Sequence, residues 1–200
     1  MKLFQILILV VAGLSASAQH TTLAPGSKAP DISLLNVDGK TVSFSDYPLA
    51  KGFIVVFTCN TCPYAKAYES RIIALTKKYA PLRFPLIAIN PNDPAASPGD
   101  AFAKMRIRAR AASYPFPYLY DKEQAVTAQY GPRSTPHLFI IAKTDSGNTI
   151  RYTGALDNDT ADTDPNKIKY AEDAIDALLA GNAPAVTTTK AIGCSVRWKH

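Results

Sequence analysis

Two cysteines two residues apart, Cys59-Asn60-Thr61-Cys62, stand between an apolar run and a helical pattern. The run Phe53-Ile54-Val55-Val56-Phe57 has the length and β-branched content of a strand buried on both faces. After the cysteines, Tyr64, Tyr68, Ile72, Leu75 and Tyr79 recur at steps of three and four, which predicts a helix over Pro63 to Tyr79. Pro63 suits its first turn, where a backbone N–H would have no helical partner. A dithiol at such a strand-to-helix junction lies where free amides and the helix dipole favour an anion. Cys59 is therefore expected to be the exposed member, with a stabilised thiolate, and Cys62 the buried one.

The surrounding pattern fixes the fold class. Short strands are expected at Asp31 to Leu35 and Thr41 to Phe44, joined by a turn at Asp38-Gly39. Strands Phe53 to Phe57, Phe84 to Asn90 and Phe116 to Tyr120 then alternate with helices at Pro63 to Tyr79, near Asp100 to Ala112 and near Glu123 to Tyr130. That rhythm implies parallel pairing. It changes at His137 to Ala142 and Thr149 to Gly154, which read as an antiparallel hairpin. A last helix, about Asn166 to Ala180, stops at Gly181. The expectation is an α/β chain with a central mixed sheet flanked by helices, an N-terminal β-hairpin and one inserted helix.

Met1-Lys2 precede an apolar stretch, Leu3 to Leu14, and Ser15-Ala16-Ser17-Ala18 supplies small residues at the positions a signal peptidase reads. Residues 1–18 are therefore expected to be a signal peptide, and 19–200 a single domain that opens on a flexible lead-in and ends in a tail from about 181. The apolar stretch is short for a membrane span and no cysteine follows it to carry a lipid. Export follows, most simply to a bacterial periplasm, with no stable membrane insertion once the leader is removed. The formal net charge is +6, and its one concentration, Lys104, Arg106, Arg108 and Arg110, lacks the interleaved aromatics that stack on bases. No nucleic-acid partner is expected.

A parallel half joined to an antiparallel half, with Cys-x-x-Cys opening the first helix, resembles the thioredoxin fold. Ser134-Thr135-Pro136, directly before the strand at His137, matches the place of the cis proline that lies against the dithiol in that fold. The hairpin, the inserted helix and the stretches Asn90-Pro91-Asn92-Asp93, Phe116-Pro117-Tyr118-Leu119, Tyr152 to Asp157 and Gly193-Cys194-Ser195-Val196-Arg197-Trp198 narrow the match. They resemble the redoxin, or peroxiredoxin-like (AhpC/TSA-type), thioredoxin proteins. Several positions depart from the pattern. Thr58 replaces the usual Trp, Asn60-Thr61 replaces Gly-Pro, and Phe53 stands where thioredoxins bury an acid. Peroxiredoxins carry a hydroxyl three residues before the reactive cysteine, whereas this chain has Val56 before Cys59.

Taken with the expected leader, the resemblance implies an exported thiol-disulfide oxidoreductase working through a Cys59/Cys62 couple on protein or small disulfides, without a cofactor. Its partners would be disulfide-bearing clients and an unidentified redox donor or acceptor. Thr135 and Pro136 would offer backbone groups to an extended client segment. Two alternatives share the residues: a copper(I)-binding module in which His137 joins the two thiols, and a thiol peroxidase. A zinc site lacks a second ligand pair, and a structural bridge closing so short a loop would stabilise little. His137 also reads as a strand residue turned into the core, and Asp157, Asp159, Asp162 and Asp164 as a solvated loop. Cys194 is left over, either as an inert thiol or as an additional redox partner. The resting chain is expected to hold Cys59 and Cys62 close enough to pair, with Cys194 farther away and its tail anchored by a buried Trp198.

Overall fold

A computed structural model describes residues 20–199 of the chain, and the expected signal peptide, 1–18, lies outside them. The first turn is the one Asp38-Gly39 calls for. Ser33–Asn36 (β1) pairs antiparallel with Thr41–Ser43 (β2). Gly39 takes φ +93°, a left-handed conformation that suits glycine, and the Asp38 carboxylate accepts the Lys40 amide at 2.9 Å. The central strand, Gly52–Phe57 (β3), follows, and then the helix Pro63–Tyr79 (α1). Leu86–Asn90 (β4), Phe102–Ala111 (α2), Tyr118–Tyr120 (β5) and Ala125–Tyr130 (α3) complete the parallel half. Ser134–Thr135 (β6), His137–Thr144 (β7), Gly147–Gly154 (β8), Tyr170–Leu179 (α4) and Cys194–Ser195 (β9) form the rest.

Seven strands make one mixed sheet in the order β2-β1-β5-β4-β3-β7-β8. β3, β4 and β5 run parallel, whereas β7 lies antiparallel to β3 and β8 antiparallel to β7. Every residue of β3 is buried, because the sheet is covered on both faces. Ile54 and Val56 face α1, α2 and α4, where they meet Tyr68, Ile72, Leu75, Met105 and Ile175. Phe53, Val55 and Phe57 point the other way, into a cluster with Ile32, Phe44, Ile87, Phe139 and Tyr130. Phe53, standing where thioredoxins bury an acid, stacks obliquely on Phe44 with ring centroids 4.2 Å apart. Burial of this size sets the direction of β3 and hence the place where the cysteines emerge from its end.

Several expectations are corrected. The lead-in is not loose. The Thr22 hydroxyl donates to the Gly131 carbonyl, the Leu23 amide to Tyr130, the Gly26 amide to Ile150 and the Ala29 amide to Asn148, so residues 22–29 lie along α3 and β8. Tyr64 belongs to the expected stripe of α1 yet is exposed at the site end of the helix. The aspartate loop is built rather than merely solvated. Asp157 is buried and paired with Arg71 at 2.6 Å, and Asp159 accepts the amides of Ala161, Thr163 and Asp164 from its own loop.

The tail after α4 returns to the sheet. Thr153 exchanges backbone hydrogen bonds with Thr187 and Thr189, and then β9 pairs antiparallel with β6. The last residues are held by polar side chains of the β4–α2 loop and the start of α3. The Asn92 side chain accepts the Arg197 amide at 3.0 Å, and Gln124 donates to the Arg197 carbonyl while accepting the Lys199 amide. Trp198 does not sink into the fold. It is half-buried and stacks on His20 at 4.2 Å, while Val196 is the tail residue that is buried.

Candidate active site

All three cysteines gather at the C-terminal end of β3, around Thr135. Cys62 is the N-cap of α1, and Cys59 precedes it in the loop that leaves β3. The Cys59 sulfur lies 3.2 Å from the Thr135 hydroxyl, and the Cys62 sulfur 3.1 Å from the Thr135 carbonyl. The Thr135–Pro136 peptide is cis, as the resemblance implies. Across the β6–β9 ladder, Thr135 is the partner of Cys194. Its hydroxyl also reaches the Cys194 carbonyl, at 3.4 Å.

The connectivity differs from the expected one. Cys62 forms a disulfide with Cys194, with their Cα atoms 5.9 Å apart, and Cys59 is a free, buried thiol. The expectation that Cys194 rests apart from the dithiol is therefore overturned. The physical reason is the path of the tail. Once residues 187–189 are tied to β8 and Arg197 to Asn92, the intervening segment must cross the edge at Thr135, where Cys62 is waiting. Gly193 permits the close approach: a Cβ there would collide with the Thr135 carbonyl.

Cys59 is also not the exposed, low-pKa thiol that its place predicted. Only 7% of its surface is accessible. Burial raises its pKa above the ordinary thiol value, and the nearby Asp100 carboxylate pushes in the same direction. The Thr135 hydroxyl and the amides of Cys62 and Thr61 favour the thiolate but do not overcome those two effects.

Asp100 is a site residue that the sequence reading missed. It is fully buried, and its carboxylate accepts the Asn60 amide at 2.6 Å, the Thr61 hydroxyl at 2.9 Å, the Ser97 hydroxyl at 2.6 Å and the Asn92 amide group at 2.9 Å. Four donors fill its lone pairs, so it acts as a scaffold for the Cys-Asn-Thr-Cys loop and not as a proton acceptor. Asn60 is further fixed by donating to the Gly99 carbonyl and accepting the Tyr118 hydroxyl. An acid at the mouth of the inserted helix, after the polar stretch Asn90-Pro91-Asn92-Asp93, was the available signal.

His137 is committed to the fold. Its Nδ1 accepts the Arg133 amide at 3.1 Å, so Nε2 carries the proton and donates to the Thr153 hydroxyl at 3.0 Å. The ring stacks on Phe139 at 4.9 Å. With both nitrogens engaged it is not positioned as a ligand beside the thiols.

The AhpC/TSA family model matches residues 25–153, from the lead-in to the end of β8. The chain belongs to this family. It is 32% identical to an uncharacterized conserved protein of Geobacillus kaustophilus, with a TM-score of 0.79 over 88% of this chain and 92% of the other. A hypothetical protein of Sinorhizobium meliloti is 26% identical, with a TM-score of 0.81 over 90% and 97% of the two chains. The fold is shared with peroxidoxin BcpB of Mycobacterium tuberculosis, at 17% identity and a TM-score of 0.54 over 66% and 84%. A search of curated proteins finds no significant match. Thioredoxin-like architecture, a mixed sheet flanked by helices with a redox family's cysteine loop at its end, is thus established for this AhpC/TSA member.

In the bridged protein, alkylation of Cys59 should be slow at pH 7 and keep accelerating beyond pH 9, and Asp100→Asn should move that profile to lower pH by removing the neighbouring charge. The same variant leaves the Asn92 amide group facing another donor and should cost about 1–3 kcal/mol of unfolding free energy, read by chemical denaturation. For His137, burial pushes the pKa down to about 4 from its usual 6.5, with the Arg133 charge adding to the effect. Above pH 6.5 folded and unfolded chains both hold it neutral. As pH falls from 6.5 towards 4 the unfolded chain takes up a proton that the fold refuses, so stability should drop by up to about 3 kcal/mol. Between pH 6.5 and 5, where few carboxylates titrate, that slope should vanish in His137→Asn.

Proposed function

We propose that the protein is an exported thiol-disulfide oxidoreductase that acts on protein or small disulfides through Cys59 and Cys62. The observation that carries this reading is the convergence of both sulfurs on Thr135, beside a cis proline and at the start of α1, in a chain of the AhpC/TSA family. Export rests on the sequence of residues 1–18 and fits a stable Cys62–Cys194 bridge, since such bonds persist in oxidising compartments.

In the exchange, the Cys59 thiolate attacks a client disulfide and expels one client thiolate, which takes a proton from solvent. Amides of Thr61 and Cys62 and the Thr135 hydroxyl receive the negative charge on Cys59 before the attack. Cys62, freed from Cys194 by the redox donor, then attacks the Cys59 sulfur and releases the second client thiolate. Two electrons have passed from the pair of thiols to the client.

Thr135 and Pro136 are proposed as the client edge, with one qualification that the fold imposes. That edge is already paired with β9, so an extended client must displace the protein's own strand. The reduced, tail-released form is therefore the one that engages clients.

Peroxide reduction is a weaker reading. Val56, three residues before Cys59, is wholly buried and brings no hydroxyl, and the resting Cys59 is held as a thiol. Copper(I) binding is weaker still, because His137 is engaged and Cys62 is bridged.

Cys59→Ser should abolish turnover of a protein disulfide such as insulin's with a dithiol donor, whereas Cys62→Ser should accumulate a mixed disulfide at Cys59. Hydrogen peroxide should oxidise the reduced protein no faster than an unassisted buried thiol, measured by stopped flow. Trapping of client on Cys62 in Cys59→Ser would reverse the assignment of attacking and resolving groups.

A further inference from the structure

Cys62 is placed to exchange with both other sulfurs. Cys62 neighbours Cys59 in a loop of two intervening residues and is bonded to Cys194. Cys59, Cys62 and Ala65 form a small apolar cluster against which Cys194 packs, shielded from bulk water. The tail that brings Cys194 there is not a chance visitor. It is fixed on both sides, by Thr187 and Thr189 on Thr153 of β8 and by Arg197 and Lys199 on Asn92, Asp93 and Gln124, and its backbone pairs with Thr135.

Building on the thiol-disulfide reading, we propose that Cys194 is the third thiol of the exchange: it takes the bridge over from Cys59–Cys62 and leaves Cys59 reduced under its own strand. The steps balance. After Cys59 and Cys62 have reduced a client disulfide, they are joined to each other. The Cys194 thiolate attacks the Cys62 sulfur, the Cys59–Cys62 bond breaks, and a Cys62–Cys194 bond forms. Cys59 leaves as a thiolate and takes up the proton that Cys194 gave up. This last step is redox-neutral, because one disulfide replaces another. The structure corresponds to its product, with Cys59 free and Cys62 bonded to Cys194.

Thr135 links the bridge to the reactivity of Cys59. Its hydroxyl has a single proton and lies between the Cys59 sulfur, at 3.2 Å, and the Cys194 carbonyl, at 3.4 Å. With the tail docked, that proton has two acceptors. With the tail released, Cys59 alone remains, and the packing of Cys194 against its cluster is gone. Migration of the bridge thus closes the client edge and quiets the attacking thiol in one event, and reduction of Cys62–Cys194 reopens both.

The test is an acid-quenched time course of the fully reduced, full-length exported chain with 2-hydroxyethyl disulfide, followed by alkylation and bridge mapping by mass spectrometry. Wild type should pass through Cys59–Cys62 and end as Cys62–Cys194, with alkylation on Cys59 alone. Cys194→Ser should stop at Cys59–Cys62 with no alkylated active-site cysteine, and a circular dichroism spectrum matching that of wild type reports that the variant has folded. Cys59→Ser should lose formation of the Cys62–Cys194 bridge on the wild-type time scale. An end state of Cys59–Cys62 with alkylated Cys194 in wild type would overturn the proposal while leaving the thiol-disulfide reading intact, as would undiminished Cys62–Cys194 formation in Cys59→Ser. Failure of the reduced wild type to release 2-mercaptoethanol would overturn both.

Discussion

Thr135 meets all three cysteines with three different groups. Its hydroxyl lies against Cys59, its carbonyl against Cys62, and its backbone pairs with Cys194. The side chain is wholly buried, and the cis peptide to Pro136 directs the chain onward into β7, whose six-residue pairing with β3 crosses the centre of the sheet. The threonine is therefore held by the strongest part of the core and presents its polar groups at the sheet's end. Loss of that register would separate the sulfurs from each other as well as from the tail.

The cysteine loop is rigid for a separate reason. Asp100 sits in the core and carries a full set of donors, two of them from the residues between Cys59 and Cys62. A buried carboxylate so satisfied is costly to disturb, since removing its acceptors strands several donors at once. After burial, its negative charge is what opposes the Cys59 thiolate. Order in the loop and restraint of its thiol come from one group, supplied by the turn just before the helix that interrupts the β4–β5 crossover.

The fold was legible in the sequence wherever a local pattern sufficed. The helix Pro63–Tyr79 has the expected bounds because proline starts it and the apolar stripe carries it, and β3 reads as buried on both faces because it is apolar throughout. The bounds of shorter elements are less legible: the helix expected from Asn166 begins at Tyr170, since Asp159 and Asp164 organise the preceding residues into a loop. The site was only half legible. Cys59, Cys62 and Pro136 announce themselves by spacing, but the partner of Cys62 depends on a tail whose path is set by single hydrogen bonds to Asn92, Gln124 and Thr153, far away in sequence. The thiolate expected at Cys59 fails for the same reason: the helix-end amides are visible in the sequence, and the burial that outweighs them is not.

The bridge spans 132 positions of sequence, and this has a bearing on how the molecule is made. A chain emerging from its N-terminus presents Cys59 and Cys62 together, long before Cys194 has been synthesised. The earliest bond open to it is the short one. The long one needs Cys194 and the completed β6–β9 ladder. In an oxidising compartment the proposed sulfur-to-sulfur transfer would then serve folding as well, and formation of the Cys62–Cys194 bond would mark the docking of the tail on the sheet.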